Sequence, residues 1–174
     1  MKIAVIGFMG SGKSIVANGV SQKLGIESFE MDQMILSKSA RSSIEEIFLK
    51  DGELAFRNME MEVSRELMEV RSGIISTGGG VVMNQLNMLY LKKGGFVIYL
   101  RLDFEEVLNR VGECRDRPLL RDKKLAKKLY NLRCPLYEYY SDLRIEAGEM
   151  KTEERSVEAV VECVSRLEAN TNCS

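Results

Sequence analysis

Apolar runs alternate with amphipathic stretches along most of the chain. A short apolar run bounded by glycine or polar residues predicts a buried strand, and apolar positions three or four residues apart predict a helix face. Strands are predicted at 2–6, 28–31, 73–77, 96–100 and 143–145. Helices are predicted at 13–24, from 43 onward, at 53–70, between 84 and 94, after 103, at 122–140 with a kink or break at Pro135, and in the segment where Val157, Val160, Val161, Val164 and Leu167 share one face.

This alternation of strands and helices predicts the α/β fold class, with a mostly or wholly parallel sheet of about five strands between two layers of helices. In such folds a ligand lies at the carboxyl ends of the strands. Residues 1–169 are predicted to form a single domain, since neither a repeat nor a linker interrupts them, and residues 170–174 are predicted to fray.

The composition excludes several classes of function. The 174 residues carry a net charge of −1, which gives no reason to expect nucleic acid or an anionic membrane as a partner. The chain has no histidine, so Ser-His and Cys-His catalysis are excluded, and its four cysteines form no C-x-x-C pair. The apolar run after Met1 is too short for a signal peptide or a membrane span. We therefore expect a cytoplasmic protein with reduced thiols.

One motif directly follows the first predicted strand and opens the first predicted helix. It has the spacing Gly7-x-x-x-x-Gly12-Lys13-Ser14, which is that of the P-loop. Glycines let backbone N–H groups approach phosphates, the lysine neutralises the β- and γ-phosphates, and the serine hydroxyl is a ligand for Mg²⁺. The alternative is a glycine-rich turn that binds nothing, but strand, motif and helix stand in the required order. The residues expected to hold ATP are Gly10, Ser11, Gly12, Lys13 and Ser14.

The motif does not identify the acceptor of the phosphoryl group. The Asn-Lys-x-Asp segment with which GTPases bind guanine is missing, and the chain is too short for a motor or transporter ATPase. Its size fits a small-molecule kinase, that is, a three-layer αβα P-loop kinase fold. Such an enzyme needs a carboxylate near the accepting hydroxyl, cations around the phosphoryl group and a lid that excludes water.

Two segments offer candidates for the acceptor side. Asp32 stands at the predicted end of the second strand, and Glu30 points the same way if that strand continues. The alternative is a surface aspartate in a loop. Farther along, Arg57 shares a helix face with Glu53 and Glu60, which could hold its guanidinium between them. A surface ladder of ion pairs is the alternative.

The remaining candidates are glycines and arginines. Gly78, Gly79 and Gly80 follow a strand, where they either line a ligand pocket or make a sharp turn. Arg115, Arg117 and Arg121 crowd one loop, either as a lid over phosphates or as a solvated charged segment. Arg133 precedes Pro135 on a helix and faces either the cleft or the solvent.

These segments together resemble the shikimate kinases of the P-loop type. The resemblance extends from Ile3 to about Leu167 and depends on the order and spacing of six segments: GFMGSGKS (7–14), FEMDQMI (29–35), SIEEIFLKDGELAFRNME (43–60), STGGGVV (76–82), RPLL (117–120) and RCPLYEYY (133–140). It implies transfer of the ATP γ-phosphate to the 3-hydroxyl of shikimate, in the pathway to chorismate and aromatic amino acids.

The resemblance also implies roles on the acceptor side. Asp32 would bind shikimate hydroxyls and act as the base or orienting group. Arg57 and Arg133 would grip the shikimate carboxylate, and the backbone of Gly78, Gly79 and Gly80 would line the same pocket. The helical region at about 32–60 would form the substrate-binding part of the domain.

On the nucleotide side, the resemblance implies that Arg110 packs against adenine. Arg117 would belong to a lid at about 112–123 and would act in catalysis together with Lys13 and Asp32. Mg²⁺ would be held by Ser14 and Glu30. This last assignment is a departure from the family, which usually has Asp-x-Asp where this chain has Glu30-Met31-Asp32, and the glutamate is one methylene longer.

Two other functions stay open from the sequence. One is another small-molecule kinase on the same scaffold, such as a gluconate or nucleoside monophosphate kinase, because an arginine pair could equally hold a phosphate. The other is a nucleotide-binding regulatory module that has lost catalysis. The expected partners are ATP and shikimate alone, with no nucleic acid and no membrane, and the expected state is a monomer.

Overall fold

A computed structural model describes residues 1–111, 122–148 and 152–171. Within these ranges five strands form one sheet: β1 Lys2–Ile6, β2 Ser28–Glu30, β3 Gly73–Ser76, β4 Gly95–Arg101 and β5 Leu143–Glu146. Their order is β2-β3-β1-β4-β5, and every neighbouring pair is parallel. The predicted α/β class and the parallel sheet are therefore confirmed.

Helices cover the sheet. They are α1 Lys13–Leu24, α2 Met31–Lys38, α3 Ile44–Lys50, α4 Gly52–Met68, α5 Gln85–Lys92, α6 Phe104–Val111, α7 Lys123–Tyr140 and α8 Glu153–Thr171, with a 3₁₀ turn at Val81–Met83. The helix α7 includes Pro135 and continues to Tyr140, so the proline does not end it. Within the described residues, no helix is both long and apolar enough to cross a membrane.

Local chemistry fixes several helix ends where the sequence predicts them. Gly25 ends α1 in the left-handed conformation, with φ at 65°. The hydroxyl of Ser43 accepts a hydrogen bond from the backbone N–H of Glu46 at 3.1 Å and so caps α3. Asn84 and Asp122 cap α5 and α7 in the same way.

The predicted second strand is one residue too long, and the helix after it is not anticipated. The strand β2 ends at Glu30, and Met31 already begins α2. Met31 and Ile35 are both buried, four residues apart, so the apolar positions follow helical rather than strand spacing. Asp32 consequently stands in the first turn of α2 and not on the strand. Strand alternation therefore does not align Glu30 with Asp32, and that expectation is wrong.

The sheet centre positions the site. All five residues of β1 are buried, and β1 lies between β3 and β4. At their carboxyl ends Val5 is paired with Ser76, and Ile6 with Tyr99. The P-loop leaves β1 at this edge, and the three-glycine turn leaves β3 beside it, so the topology brings the two segments together.

Candidate active site

The P-loop has the backbone that its glycines permit. Gly7, Gly10 and Gly12 have φ angles of 151°, 80° and 87°, which other residues rarely adopt. A Cβ built on Gly7 would also lie 2.6 Å from the carbonyl oxygen of Leu100. The loop therefore runs directly against the end of β4, in a shape that depends on these glycines.

Polar side chains of the loop converge at the amino end of α1. Lys13 is buried, and its Nζ donates to the carbonyl of Phe8 at 3.0 Å. The Oγ atoms of Ser14 and Ser76 are 3.3 Å apart. Ser11 Oγ is buried, and none of the atoms in the described ranges hydrogen-bonds to it. A buried ammonium, a buried hydroxyl without a partner and a helix amino terminus suit an anionic ligand.

Glu30 lies close to this group. In the sheet Glu30 is the register partner of Ser76 on β3. Registered residues of parallel strands project from the same face of a sheet. Glu30 and Ser76 therefore share a face, and Ser76 contacts Ser14. Hydroxyl and carboxylate oxygens are the donors that Mg²⁺ prefers, and this ion usually keeps several waters and binds substrate phosphates. Among the residues with described positions, no three His, Cys, Asp or Glu side chains cluster as a closed metal site.

The three-glycine turn contacts both halves of the site. A Cβ on Gly78 would lie 3.1 Å from Asp32 Oδ1, and one on Gly80 would lie 2.8 Å from Arg57 Nη1. Between them, a Cβ on Gly79 would lie 3.4 Å from the backbone nitrogen of Met9 in the P-loop. The absence of side chains lets an acidic residue, an arginine and the phosphate loop approach the same short backbone segment.

Arg57 is held by two carboxylates of its own helix. Its Nη2 lies 3.2 Å from Glu53 and its Nη1 lies 3.0 Å from Glu60, as the spacing on α4 predicts. Glu60 is only 1% exposed. Burial raises the pKa of Glu60 and the charge of Asp32 adds to the rise, while Arg57 and Arg133 oppose it. Glu60 and Asp32 are thus close enough for each to affect the ionisation of the other.

Arg133 reaches the site from α7. It is 7% exposed, and its guanidinium carbon lies 5.9 Å from the centre of the Phe8 ring, in the P-loop. Its Nε is buried and has no hydrogen-bond partner among the described atoms. The hydroxyl of Tyr137, one turn later, donates to the carbonyl of Gly79. A buried guanidinium nitrogen without a partner is uncommon, and this one suits an anionic ligand.

The described contacts of this cluster do not include Arg110. Arg110 is exposed in the last turn of α6, and its Nη2 donates to the carbonyl of Ala147 at 3.0 Å. Arg117 and most of the predicted lid, 112–121, lie outside the described residues. Their roles stay predictions.

Sequence reasoning missed several residues of the site. Ser76 and Tyr137 form hydrogen bonds with the predicted site residues Ser14 and Gly79, and Asn87 donates to Glu60, the partner of Arg57. Tyr137 lies in a segment that carries the family resemblance, but nothing in its spacing indicates its contact with Gly79. Asn87 lies in the first turn of α5, and no pattern in the sequence indicates its contact with Glu60.

This chain is similar to known proteins over nearly its whole length. A family model described as Shikimate kinase matches residues 9–165. A shikimate kinase from Thermodesulfovibrio yellowstonii is 37% identical over 168 residues, which cover 95% of both chains. Among solved structures, a shikimate kinase from Acinetobacter baumannii in complex with shikimate has a TM-score of 0.84 at 30% identity, covering 97% of this chain and 93% of that one.

A second solved structure gives the same result. The shikimate kinase from Aquifex aeolicus has a TM-score of 0.82 at 34% identity, and 98% of each chain is covered. Family model, sequence relatives and structures thus agree over nearly the whole length. This chain belongs to the shikimate kinase family.

Proposed function

We propose that this chain transfers the γ-phosphate of ATP to the 3-hydroxyl of shikimate, giving shikimate 3-phosphate and ADP. The observation that carries the proposal is the turn Gly78–Gly80, which touches the P-loop, Asp32 and Arg57 at once. A donor pocket and an acceptor pocket that share one wall suit an in-line transfer.

On the donor side, Gly10, Ser11, Gly12, Lys13 and Ser14 would hold the phosphates. Lys13 already lies buried inside the loop, where its charge can offset that of the β- and γ-phosphates. Arg110 would pack against adenine, and Arg117 would reach the transferred phosphoryl group from the lid.

Ser14 and Glu30 would hold Mg²⁺, and the donor set on this face of the sheet fits that ion. When bound, the ion would supply positive charge that offsets the negative charge of the phosphates during the transfer. Ser76 would keep the Ser14 hydroxyl in place, since the two oxygens are 3.3 Å apart.

On the acceptor side, Arg57 and Arg133 would bind the shikimate carboxylate. The two arginines differ in the partners that they already have. Arg57 is already paired with Glu53 and Glu60, whereas the buried Arg133 lies over an aromatic ring and has an unpartnered Nε. A bound carboxylate would supply the charge that Arg133 needs.

Asp32 would orient the 3-hydroxyl and accept its proton. Its Oδ1 lies against Gly78, at the junction of the two pockets. A general base has to lie within hydrogen-bond reach of the hydroxyl, and the position of Asp32 beside Gly78 supports this role.

The test is ADP release with a panel of acceptors: shikimate, gluconate and nucleoside monophosphates. We expect release with shikimate alone. Arg57→Ala should weaken shikimate binding with little change in ATP affinity. Arg166→Ala is the matched control, because Arg166 is an exposed arginine on α8 that pairs with Glu162 of its own helix. Turnover of gluconate or a nucleotide that equals or exceeds that of shikimate would contradict the proposal.

We also propose that the enzyme acts as a monomer in the cytoplasm, without a nucleic-acid partner. The net charge of −1 supports the last point, since nucleic-acid binding depends on basic surface. Light scattering of the purified protein tests the oligomeric state.

A further inference from the structure

Asn87 is a polar side chain in the packed interface between α5 and α4, and it is fully buried. Its Nδ2 donates to Glu60 Oε2 at 3.2 Å. The direction of the amide is fixed by chemistry, because a carboxylate only accepts hydrogen bonds and so must face the NH₂ group. The other amide atom, Oδ1, is buried and has no partner among the described atoms. Burying an amide oxygen without a partner costs free energy, which the bond from Nδ2 to Glu60 has to offset.

The two oxygens of Glu60 have different environments. Oε2 accepts from Arg57 on one side at 3.0 Å and from Asn87 on the other. Oε1 lies 3.7 Å from where a Cβ of Gly78 would stand, on the side of the substrate cleft. The amide therefore fixes the rotation of the carboxylate. One oxygen is directed to Arg57 and the other to the wall of the acceptor pocket.

We propose that Asn87 is a positioning residue for the acceptor: through Glu60 it fixes the Arg57 guanidinium in the orientation that binds the shikimate carboxylate. This inference rests on the proposed function. Asn87 itself contacts neither the substrate nor the phosphoryl group; it acts across the α4–α5 interface.

The charges around Glu60 indicate how the effect depends on pH. Arg57 on α4 and Arg133 on α7 favour the carboxylate, whereas burial and Asp32 on α2 favour the protonated acid. From α5, the uncharged amide of Asn87 adds a donor that favours the carboxylate. Without this donor, Glu60 takes up a proton at a higher pH. A protonated Glu60 holds Arg57 more weakly, so the weakening of shikimate binding should grow as the pH falls.

The experiment compares Asn87→Leu, which keeps the approximate shape but removes the donor, with the unmodified enzyme. We expect the KM for shikimate to rise roughly tenfold near neutral pH, which is the usual effect of losing a hydrogen bond to a charged group. The rise should be larger at the lower of two compared pH values than at the higher. The KM for ATP should change by less than about twofold, because the Asn87–Glu60 bond involves no residue of the P-loop.

Leu91→Val is the matched control. Leu91 is buried on α5 one turn after Asn87, so its truncation destabilises the same helix without touching the Asn87–Glu60 bond. We expect a lower Tm with an unchanged shikimate KM at both pH values. Asn87→Ala, which cannot overpack the interface, should reproduce the KM change of Asn87→Leu.

Three outcomes would overturn the inference. The first is an Asn87→Leu enzyme with reduced Tm but a normal, pH-independent shikimate KM, as in the control. The second is that both Asn87 variants fail to fold, which would make Asn87 a folding residue. The third is an equal rise in the KM for ATP. If the unmodified chain itself shows no shikimate-dependent ADP release, the proposed function fails, and these variants are not the cause.

Discussion

The guanidinium of Arg57 occupies the space that a side chain at Gly80 would need, since a Cβ built there would lie 2.8 Å from Nη1. Glu53 and Glu60 hold the same guanidinium by ion pairs. The position of the Arg57 guanidinium thus depends both on the room that glycine leaves at position 80 and on the two carboxylate partners. This relationship links the glycine turn to substrate binding in a way that can be tested.

Gly80→Ala should displace Arg57 and raise the KM for shikimate by roughly tenfold, the scale expected for one charged contact. The KM for ATP should change little. Stability should also change little, because the atom that has to move is the end of a flexible side chain and Gly80 has an ordinary φ of −98°. Steady-state kinetics with each substrate varied, together with a melting curve, check both expectations.

Gly73→Ala is the control for this variant. Gly73 has a φ of 143°, and a Cβ there would lie 2.9 Å from the carbonyl oxygen of Glu27, which is backbone. It stands at the amino end of β3, away from the site, so it should lower Tm and leave both KM values unchanged. If Gly80→Ala instead lowered Tm without changing the shikimate KM, Arg57 would not be the residue that this turn serves.

Asp32→Asn tests the proposed base. The amide keeps the size of the side chain near Gly78 but cannot accept the proton of the 3-hydroxyl. We expect kcat to fall by about 100-fold or more, with nucleotide binding retained. Single-turnover kinetics and an ATP titration measure the two effects. Glu162→Gln, which changes the exposed carboxylate that pairs with Arg166 on α8, should leave kcat unchanged. Near-normal turnover of Asp32→Asn would remove Asp32 from its role.

Much of the fold could be predicted because it depends on local chemistry. The ends of α1 and α3 follow from Gly25 and Ser43, whose effects reach only a few residues. The boundary between β2 and α2 could not be predicted, since the run Phe29–Met31 suits a strand as well as a helix start. Packing of Met31 and Ile35 against the core decides in favour of the helix.

The site shows the same division. The pairing of Arg57 with Glu53 and Glu60 follows from helical spacing, and the structure confirms it. The contacts Asn87–Glu60 and Tyr137–Gly79 join residues 27 and 58 positions apart on different elements. A single sequence carries no record of such contacts, because they arise only when the helices pack. The roles assigned to Arg110 and Arg117 stay predictions.

Lys2→Met tests a structural role far from the chemistry. Lys2 is fully buried at the amino end of β1, and its Nζ donates to the carbonyls of Leu67 and Met68 at the end of α4 and to that of Tyr90 on α5. Burial lowers the pKa of Lys2. Methionine fills the same space but leaves these carbonyls without a donor, so we expect a loss of about 1–3 kcal/mol in the free energy of unfolding. Denaturant unfolding measures it, and both KM values should stay normal. An unchanged free energy of unfolding would show that water replaces the ammonium at no cost.

Glu60→Gln should separate stability from binding. Burial raises the pKa of Glu60 above its ordinary value of 4.5, so the folded chain keeps this proton to a higher pH than the unfolded chain does. Between 4.5 and the raised value folding takes up a proton, and stability falls as the pH rises through this window. Above the window the folded enzyme carries the full cost of a buried carboxylate, and below 4.5 it carries none.

Glutamine cannot ionise and avoids this cost. The Tm of Glu60→Gln should therefore equal or exceed that of the unmodified enzyme near neutral pH, and any gap should close as the pH falls towards 4.5. At the same time the shikimate KM should rise, because a neutral amide holds the Arg57 guanidinium more weakly than a carboxylate does. Melting curves across the pH range, paired with kinetics, test both signs. The prediction fails if the Glu60→Gln variant melts well below the unmodified enzyme at neutral pH. In that case the ion pair with Arg57 would stabilise the Glu60 carboxylate more than burial destabilises it. The pKa of Glu60 would then be lowered rather than raised.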